Sequence, residues 1–198
     1  MIIKKTKKVV LIFLNNIKHY ENDTKKFIEH ISPRYTRFYL PYVNDMFTLD
    51  YYLCDIYKRY PNHSFMLFLS VYGNINREAD FYLGNTLHSF NELYDIINNF
   101  SNTTVILSNI VLLASRPLKR KRKYPPVIEH FKVLANANDD NTKRGNILFS
   151  SIMKNSMFNK EIEYFDWVMM LSKYLDDNNV ITAKMSQGAK RLLMPRLI

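Results

Sequence analysis

The stretch Phe65–Gly73, with the sequence FMLFLSVYG, decides the fold class of this chain. A second apolar run, Val105–Leu113, leads into Ala114, Ser115 and Arg116. Runs of this length, rich in Val, Ile, Leu and Phe and closed by small or turn-forming residues, are typical of parallel strands buried on both faces. Ligands of such sheets bind beyond the carboxyl ends of the strands. The functional site is therefore expected where these two runs end.

Strands and helices alternate along the rest of the chain. This alternation favours an α/β fold with right-handed crossovers: a three-layer sandwich with a mostly parallel central sheet flanked by helices on both faces. The predicted strands are Lys8–Leu14, Arg37–Pro41, Phe65–Ser70, Thr103–Leu113, Glu129–Leu134 and Lys190–Ile198, with a hairpin at 79–83. The predicted helices are Thr24–Ile31, Leu49–Tyr60 capped by Thr48, His88–Asn99, Gly145–Met157 and Glu161–Leu175.

Composition bounds the class of protein. The 198 residues are 47% hydrophobic and 14% aromatic, which is enough apolar surface for one domain with a full core. Cys54 is the only cysteine, so the secreted disulfide-rich class is excluded and a reducing compartment is expected, the cytoplasm or, through the basic loop, the nucleus. The apolar stretch near the amino terminus is too short for a signal peptide, and no segment is long enough to span a bilayer. The sequence therefore predicts no membrane association.

No cofactor or metal is expected either. The spacing of histidine, cysteine and carboxylate residues matches no structural metal site. The chain has only 4 glycines, and they form no phosphate-binding loop.

Five consecutive cations are the one strong local shift in composition. They are Lys119, Arg120, Lys121, Arg122 and Lys123. Flanking prolines and this charge predict an exposed loop. With the net charge of +10, the loop fits nuclear import, an acidic protein or nucleic acid, and it equally fits a solvated loop in a lysine-rich protein. Nucleic acid is the weaker partner, because no aromatic residues alternate with the cations to stack on bases.

Several segments, in the right order along the chain, resemble motifs of the caspase family of cysteine peptidases. Leu14–Tyr20 is similar to the family's first strand and its Asn-Asn/His-Phe turn. Phe68–Gly73 resembles the strand that ends in Ser-His-Gly, and Leu112–Pro117 resembles the strand that ends in Gln-Ala-Cys-Arg-Gly. Pro125–Phe131 and Gly145–Ile152 are similar to the first two motifs of the family's small subunit. The resemblance covers nearly the whole chain.

The resemblance implies a single caspase-like domain over residues 1–198. Residues 1–116 correspond to the large subunit, 117–128 to a short basic linker without aspartate, and 129–198 to the small subunit. The carboxyl-terminal tail resembles the final strand, which pairs two protomers in the family, and so implies a homodimer. The candidate partner-binding residues in this tail are Leu192, Leu193 and Leu197.

The catalytic positions of the family are changed in this chain. Tyr72 occupies the position of the general base and Ser115 that of the nucleophile. A cysteine peptidase needs a thiolate to attack and an imidazole to protonate the leaving amine. A serine hydroxyl without a base is a poor nucleophile, and a phenol with a reference pKa of about 10 is a poor base near neutral pH. The chain is therefore expected to be a pseudoenzyme.

The substrate pocket implied by the resemblance is changed as well. The family holds an aspartate side chain with two arginines and a glutamine, a bidentate recognition that other residues do not reproduce. Glu21 stands at the position of the first arginine and Leu113 at that of the glutamine. A carboxylate at position 21 would repel an aspartate substrate.

The leading hypothesis is a pseudocaspase, encoded by a DNA virus of insects such as an ascovirus, that inhibits host apoptosis by binding a host caspase or an apoptotic adaptor. A second hypothesis is a basic binding module that uses the loop at 119–123. A third is a residual hydrolase centred on Ser115, which would need an imidazole from His19, His63, His88 or His130.

Overall fold

Alternating strands and helices build the part of the chain that the computed structural model describes, residues 8–75, 79–99, 104–112, 132–139, 147–154, 162–163, 166, 180–184, 193–194 and 196–198. The strands are β1 Val9–Asn15, β2 Thr36–Pro41, β3 Ser64–Ile75, β4 Ala79–Leu83, β5 Thr86–Ser89, β6 Thr104–Leu112, β7 Lys132–Asp139, β8 Ile162–Glu163, β9 Val180–Lys184 and β10 Leu193–Met194. The helices are α1 Glu21–His30, α2 Met46–Arg59, α3 Phe90–Asn98 and α4 Ile147–Lys154, and a short 3₁₀ helix, Lys18–Tyr20, precedes α1. None of the helices in these ranges is long and apolar enough to cross a bilayer.

The main sheet has the strand order β2-β1-β3-β6-β7-β9. The pairings from β2 to β7 are parallel, whereas β9 runs antiparallel to β7, so the sheet is mixed. The apolar runs of the sequence lie side by side at its centre, with Phe68 of β3 opposite Leu107 of β6. β4 and β5 form a hairpin that extends from the end of β3. The predicted α/β fold is confirmed at this level.

Helices cover both faces of the sheet because successive side chains of a strand point to opposite faces. In β1, Val10, Ile12 and Leu14 belong to a core that includes Leu49 and Leu53 of α2 and Leu93 of α3. Phe13 points to the other face, where it meets Phe27 of α1 and Phe149 of α4. A strand buried on both faces is apolar at nearly every position, which explains the long apolar runs.

Four phenylalanines join α1 and α4 to the sheet. Phe13 stacks on Phe68 with ring centroids 4.7 Å apart, and Phe27 stacks on Phe149 at 4.4 Å. The two pairs meet edge to face, with Phe27 and Phe68 5.7 Å apart. All four side chains are at most 2% exposed. Each fully buried phenylalanine contributes about 1.5–3 kcal/mol, so this cluster is a large part of the packing that fixes α4.

The starts of two helices differ from the prediction. Thr48 does not cap α2; Asp45 does, and the Thr48 amide and hydroxyl both donate to its carboxylate at 2.7 and 2.9 Å. Aspartate is among the strongest N-caps, and threonine three residues later completes the turn. α3 begins at Phe90 with Ser89 as its cap, because His88 is held in β5 opposite Phe81.

The last third of the chain shows the largest departures from the prediction. Residues 180–184, for which no strand was predicted, form β9 at the end of the sheet. Within the predicted closing strand at 190–198, the described residues Leu193–Met194 form β10, which pairs with β8 in a separate two-stranded sheet. Ile162 and Glu163 are therefore in a strand, where the sequence predicted the beginning of a helix. Isolated short strands have weak periodicity, so tertiary pairing decides them.

Candidate functional site at the strand ends

The carboxyl end of β1 is a turn made by two asparagines. Asn15 is fully buried, and its Nδ2 donates to the carbonyl oxygen of Ile17 at 3.1 Å. The backbone amide of Asn16 donates to the carbonyl oxygen of Ser70 on β3 at 2.9 Å. The side chain of Asn16 binds both backbone groups of Val43, in the segment after β2. The Asn-Asn pair thus joins the exit of β1 to β3 and to the segment after β2. All three lie at the edge of the sheet where the parallel strands end.

Glu21 lies at this edge as the first residue of α1. Its carboxylate accepts a hydrogen bond from Lys25 Nζ at 2.6 Å and another from the Tyr42 hydroxyl at 3.1 Å. These two donors, Lys25 before Tyr42, lower the pKa of Glu21 below its ordinary value. The same contact with Glu21 raises the pKa of Lys25. The resemblance assigned position 21 to an arginine of the substrate pocket. The structure instead has the ionised carboxylate of Glu21 there, with the ammonium group of Lys25 beside it.

Two tyrosines lie beside Glu21, and one of them, Tyr42, is hydrogen-bonded to it. Tyr42 has a φ angle of 56°, in the left-handed region that bulky residues rarely adopt. Partial desolvation, and then the Glu21 carboxylate, raise the pKa of its phenol. Burial also raises the pKa of Tyr39, although the neighbouring Asn15 side chain opposes that shift. Despite this proximity, neither Asn15 Oδ1 nor the Tyr39 hydroxyl reaches hydrogen-bond geometry with a described group.

Tyr72 lies at the same edge, near the carboxyl end of β3. It is half-buried and packs against Ile17 and Tyr20, and Tyr20 immediately precedes Glu21. In the parallel pairing of β3 with β6, Tyr72 is opposite Val111. Two of the four positions that the resemblance singled out, Glu21 and Tyr72, thus lie at the same edge of the sheet, where the parallel strands end. The other two, Leu113 and Ser115, lie outside the described residues, so the predicted approach of Ser115 to Tyr72 stays a prediction.

The remaining predicted site residues divide into three groups. The basic run Lys119, Arg120, Lys121, Arg122 and Lys123 and the tail residue Leu192 lie outside the described residues. Leu193 pairs with Glu163 as part of β10. Leu197 is fully buried within the chain, and its carbonyl accepts a hydrogen bond from the Ser32 amide at 2.8 Å. The side chain of Leu197 is thus packed inside the chain. It is not exposed on the partner-binding surface that the sequence predicted for the tail.

The one cysteine lies away from the strand ends. Cys54 is in the second half of α2, partly buried in the helix layer.

The described histidine that follows β1 at the site edge is His19, an exposed residue whose ring contacts Tyr20 edge to face at 4.5 Å. Among the described residues, His, Cys, Asp and Glu form no group of three that could hold a metal ion. The chemistry at this edge is that of carboxylate, ammonium, amide and phenol groups.

Sequence reasoning missed the role of Tyr42 and Tyr39. A proline at the end of β2 signals that the strand stops there, but no local signal predicts a left-handed tyrosine or its bond to a residue 21 positions earlier. The Asn15-Asn16 pair was predicted as a turn. Its amide side chains are the signal that could have identified it as a pair that hydrogen-bonds neighbouring backbone segments.

Comparison with known proteins gives a likeness of fold. No protein-family model matches the chain, and no curated protein matches it. Among solved structures, pro-sf-caspase-1 is similar with a TM-score of 0.57 and 12% identity, over 96% of this chain and 89% of that one. A Geobacter sulfurreducens protein, solved as a structural genomics target, is similar with a TM-score of 0.53 and 10% identity, over 93% of this chain and 97% of that one. The chain shares the overall α/β fold of these two proteins.

Proposed function

We propose that this chain is a catalytically inactive caspase-fold protein that regulates apoptosis as an inhibitor, through protein–protein contacts. The observation that carries the proposal is the position of the single thiol. Peptide hydrolysis by a cysteine peptidase of the caspase type needs a cysteine at the strand ends, and Cys54 is instead in α2. The likeness to pro-sf-caspase-1 over 96% of the chain supports the family part of the proposal.

The changed substrate edge supports a role without catalysis. Glu21 is held by Lys25 and Tyr42 at the edge where a caspase would bind an aspartate side chain. A carboxylate there repels a substrate carboxylate, and its partners are already in place. An unmodified aspartate substrate would have to displace Lys25 and still meet a negative charge. The edge is thus better suited to a structural role than to aspartate recognition.

The free side of β9 is the contact surface that we propose for a host caspase, an apoptotic adaptor or a second copy of the chain. β9 ends the strand order, and in the described part of the chain it pairs with β7 alone. An edge strand offers backbone donors and acceptors to a strand of another molecule. We propose β9 as this contact surface instead of the tail residues around Leu193, because the backbone of Leu193 in β10 already pairs with β8. The cytoplasm, where such partners act, is the proposed compartment.

The test is an effector-caspase assay with a fluorogenic aspartyl peptide. We expect the purified protein to hydrolyse no peptide itself and to lower the caspase rate in a dose-dependent way. A Cys54→Ser variant is the matched control, because it should inhibit as well as the wild type. Intrinsic hydrolysis that is lost in Cys54→Ser would contradict the proposed inactivity. A protein without effect on caspase rate, and without effect on death of stimulated insect cells, would contradict the proposed role.

A basic binding module is a second candidate, supported by the five consecutive cations at 119–123 and the net charge of +10. It predicts binding to an acidic polymer that weakens steeply with added salt. Replacing the five cations with glutamine should abolish that binding. Affinity that persists after this replacement would reject the loop as the binding element.

A further inference from the structure

Four consecutive residues after β2 are each held by a different part of the fold. We call them the junction segment: Tyr42, Val43, Asn44 and Asp45. The Tyr42 hydroxyl donates to the carboxylate of Glu21, at the start of α1, at 3.1 Å. The Tyr42 backbone amide donates to the carbonyl oxygen of Asn15, at the end of β1, also at 3.1 Å. The first residue of the segment is therefore fixed at both its backbone and its side chain.

The other three residues of the junction segment meet three further elements. The side chain of Asn16 binds both backbone groups of Val43. The carbonyl oxygen of Asn44 lies so close to the β4–β5 turn that a Cβ atom on Gly84 would be 2.6 Å from it. The Asp45 carboxylate caps α2. One short segment thus joins the strand-end site to the β4–β5 hairpin and to α2.

The junction segment is held in a strained conformation at Tyr42. With a φ of 56°, Tyr42 is the one non-glycine residue with a positive φ in the part of the chain that the structure describes. For a bulky residue this is a costly conformation, and it persists only where surrounding contacts impose it. Those contacts are the hydrogen bonds of Asn15 and Asn16 to the backbone of the segment.

The hydrogen bond from Tyr42 to Glu21 opposes this strain. A hydrogen bond to a charged carboxylate contributes a free energy of the same order as the cost of a left-handed tyrosine. The Tyr42 side chain is 43% exposed, so burial adds little to hold it in place. Loss of the bond should therefore raise the population of an open form in which the junction segment leaves its contacts.

We infer that the junction segment is a strained switch that couples the strand-end site to the β4–β5 hairpin and the start of α2. A ligand that takes the Glu21 carboxylate from Tyr42 favours the open form, and the hairpin and α2 then lose their contacts with the segment together. Such coupling needs an element with two arrangements that both sites bias, and here that element is the backbone of Tyr42. The inference is independent of the proposed function, because it does not depend on which partner binds.

Amide hydrogen exchange, measured residue by residue by NMR on variants of the full chain, tests the inference. Tyr42→Phe and Tyr42→Ala lose the bond to Glu21 and keep the cost of the left-handed backbone. Tyr42→Gly loses the same bond but removes that cost, because glycine adopts a positive φ freely. The reporter amides are those of Val43, which binds Asn16, of Thr48, which binds the Asp45 cap, and of β5.

The switch predicts a difference between glycine and the other two variants. Exchange at the reporter amides should be about tenfold faster than in the wild type in Tyr42→Phe and Tyr42→Ala, and within about threefold of the wild type in Tyr42→Gly. The amides of α4 are the internal control, since Phe149 packs on the face of the sheet opposite α2, and their exchange should not change.

Three outcomes would overturn the inference. Wild-type exchange at the reporter amides in Tyr42→Phe or Tyr42→Ala would show that the bond to Glu21 does not hold the segment. Acceleration in Tyr42→Gly equal to that in Tyr42→Ala would show that backbone strain has no part in it. Acceleration of the α4 amides by the same factor as the reporter amides would show a global loss of stability in place of local coupling.

Discussion

Asn16 and Val43 bind each other through both backbone groups of Val43. The Val43 amide donates to Asn16 Oδ1 at 2.9 Å, and Asn16 Nδ2 donates to the Val43 carbonyl oxygen. The two residues are 27 positions apart, so this pair ties the exit of β1 to the segment after β2. That segment contains Tyr42, whose left-handed backbone and bond to Glu21 shape the strand-end site.

Replacing Asn16 with alanine should loosen this clamp. Asn16→Ala removes both hydrogen bonds and leaves partly buried backbone groups without partners, so we expect a loss of about 1–3 kcal/mol in the free energy of unfolding. Urea denaturation measures the loss. Asn16→Asp keeps the acceptor for Val43 and loses the donor, so it should fall between alanine and the wild type. An alanine variant as stable as the wild type would show that the clamp contributes nothing.

Gly84 lies in the β4–β5 turn with a φ of 57°, and a Cβ atom there would be 2.6 Å from the carbonyl oxygen of Asn44. Gly84→Ala should therefore combine backbone strain with a backbone clash and destabilise the protein by more than about 1 kcal/mol. Thr86→Ala, at a neighbouring exposed position, should change stability by less than about 0.5 kcal/mol. Thermal unfolding of both variants makes the comparison. Equal melting temperatures would contradict the close approach of the hairpin to Asn44.

Phenylalanines in α4 and α2 provide a matched pair of substitutions. Phe149 is 2% exposed and stacks on Phe27, whereas Phe47 is 82% exposed. Phe149→Ala should cost about 3–5 kcal/mol and Phe47→Ala less than about 0.5 kcal/mol in unfolding free energy. Chemical denaturation with one fluorescence probe serves for both. Similar costs for the two variants would mean that α4 does not pack on the sheet as described.

The tail gives a prediction that separates internal packing from a partner surface. Leu197 is fully buried, and the Arg196 carbonyl accepts hydrogen bonds from Arg34 and the Tyr35 hydroxyl at 2.8 and 2.7 Å. Leu197→Ala should destabilise the isolated chain by about 2–5 kcal/mol at any protein concentration. A cost that appears only at concentrations where the chain self-associates would instead place Leu197 in an interface.

The cap of α2 predicts a dependence of stability on pH. The Thr48 amide, and then its hydroxyl, lower the folded-state pKa of Asp45 below the ordinary 3.8. A depressed carboxyl pKa contributes stability above the unfolded-state value and loses it as the pH falls through the folded-state value. The stability advantage of the wild type over Asp45→Ala should therefore be constant near neutral pH and shrink as the pH drops below about 4.

Asp45→Asn retains an uncharged cap, so its difference from Asp45→Ala should not change over the same range. Urea midpoints from pH 7 to 3 give the measurement, and a wild-type advantage unchanged at pH 3 would exclude an ionised cap.

The main sheet was predictable, and the strand-end network was only partly so. Long apolar runs located β1, β3 and β6, because burial on both faces leaves few polar positions in such strands. β9 was missed, since five residues beside polar neighbours give no period to detect, and only pairing with β7 makes them a strand. The resemblance singled out Glu21 and Tyr72, whereas nothing in the sequence pointed to Tyr39 and Tyr42, which lie near Glu21.

The sequence by itself determined the layer architecture and the absence of any second cysteine. These follow from residue identity and local period, which do not depend on the path of the chain. Only the tertiary structure decided that Glu21 meets Tyr42, that Asn16 holds Val43, and that Leu197 is buried against the segment after α1. Those contacts join residues that are far apart in sequence. The packing of helices on the sheet brings these residues together, and no local sequence pattern encodes that packing.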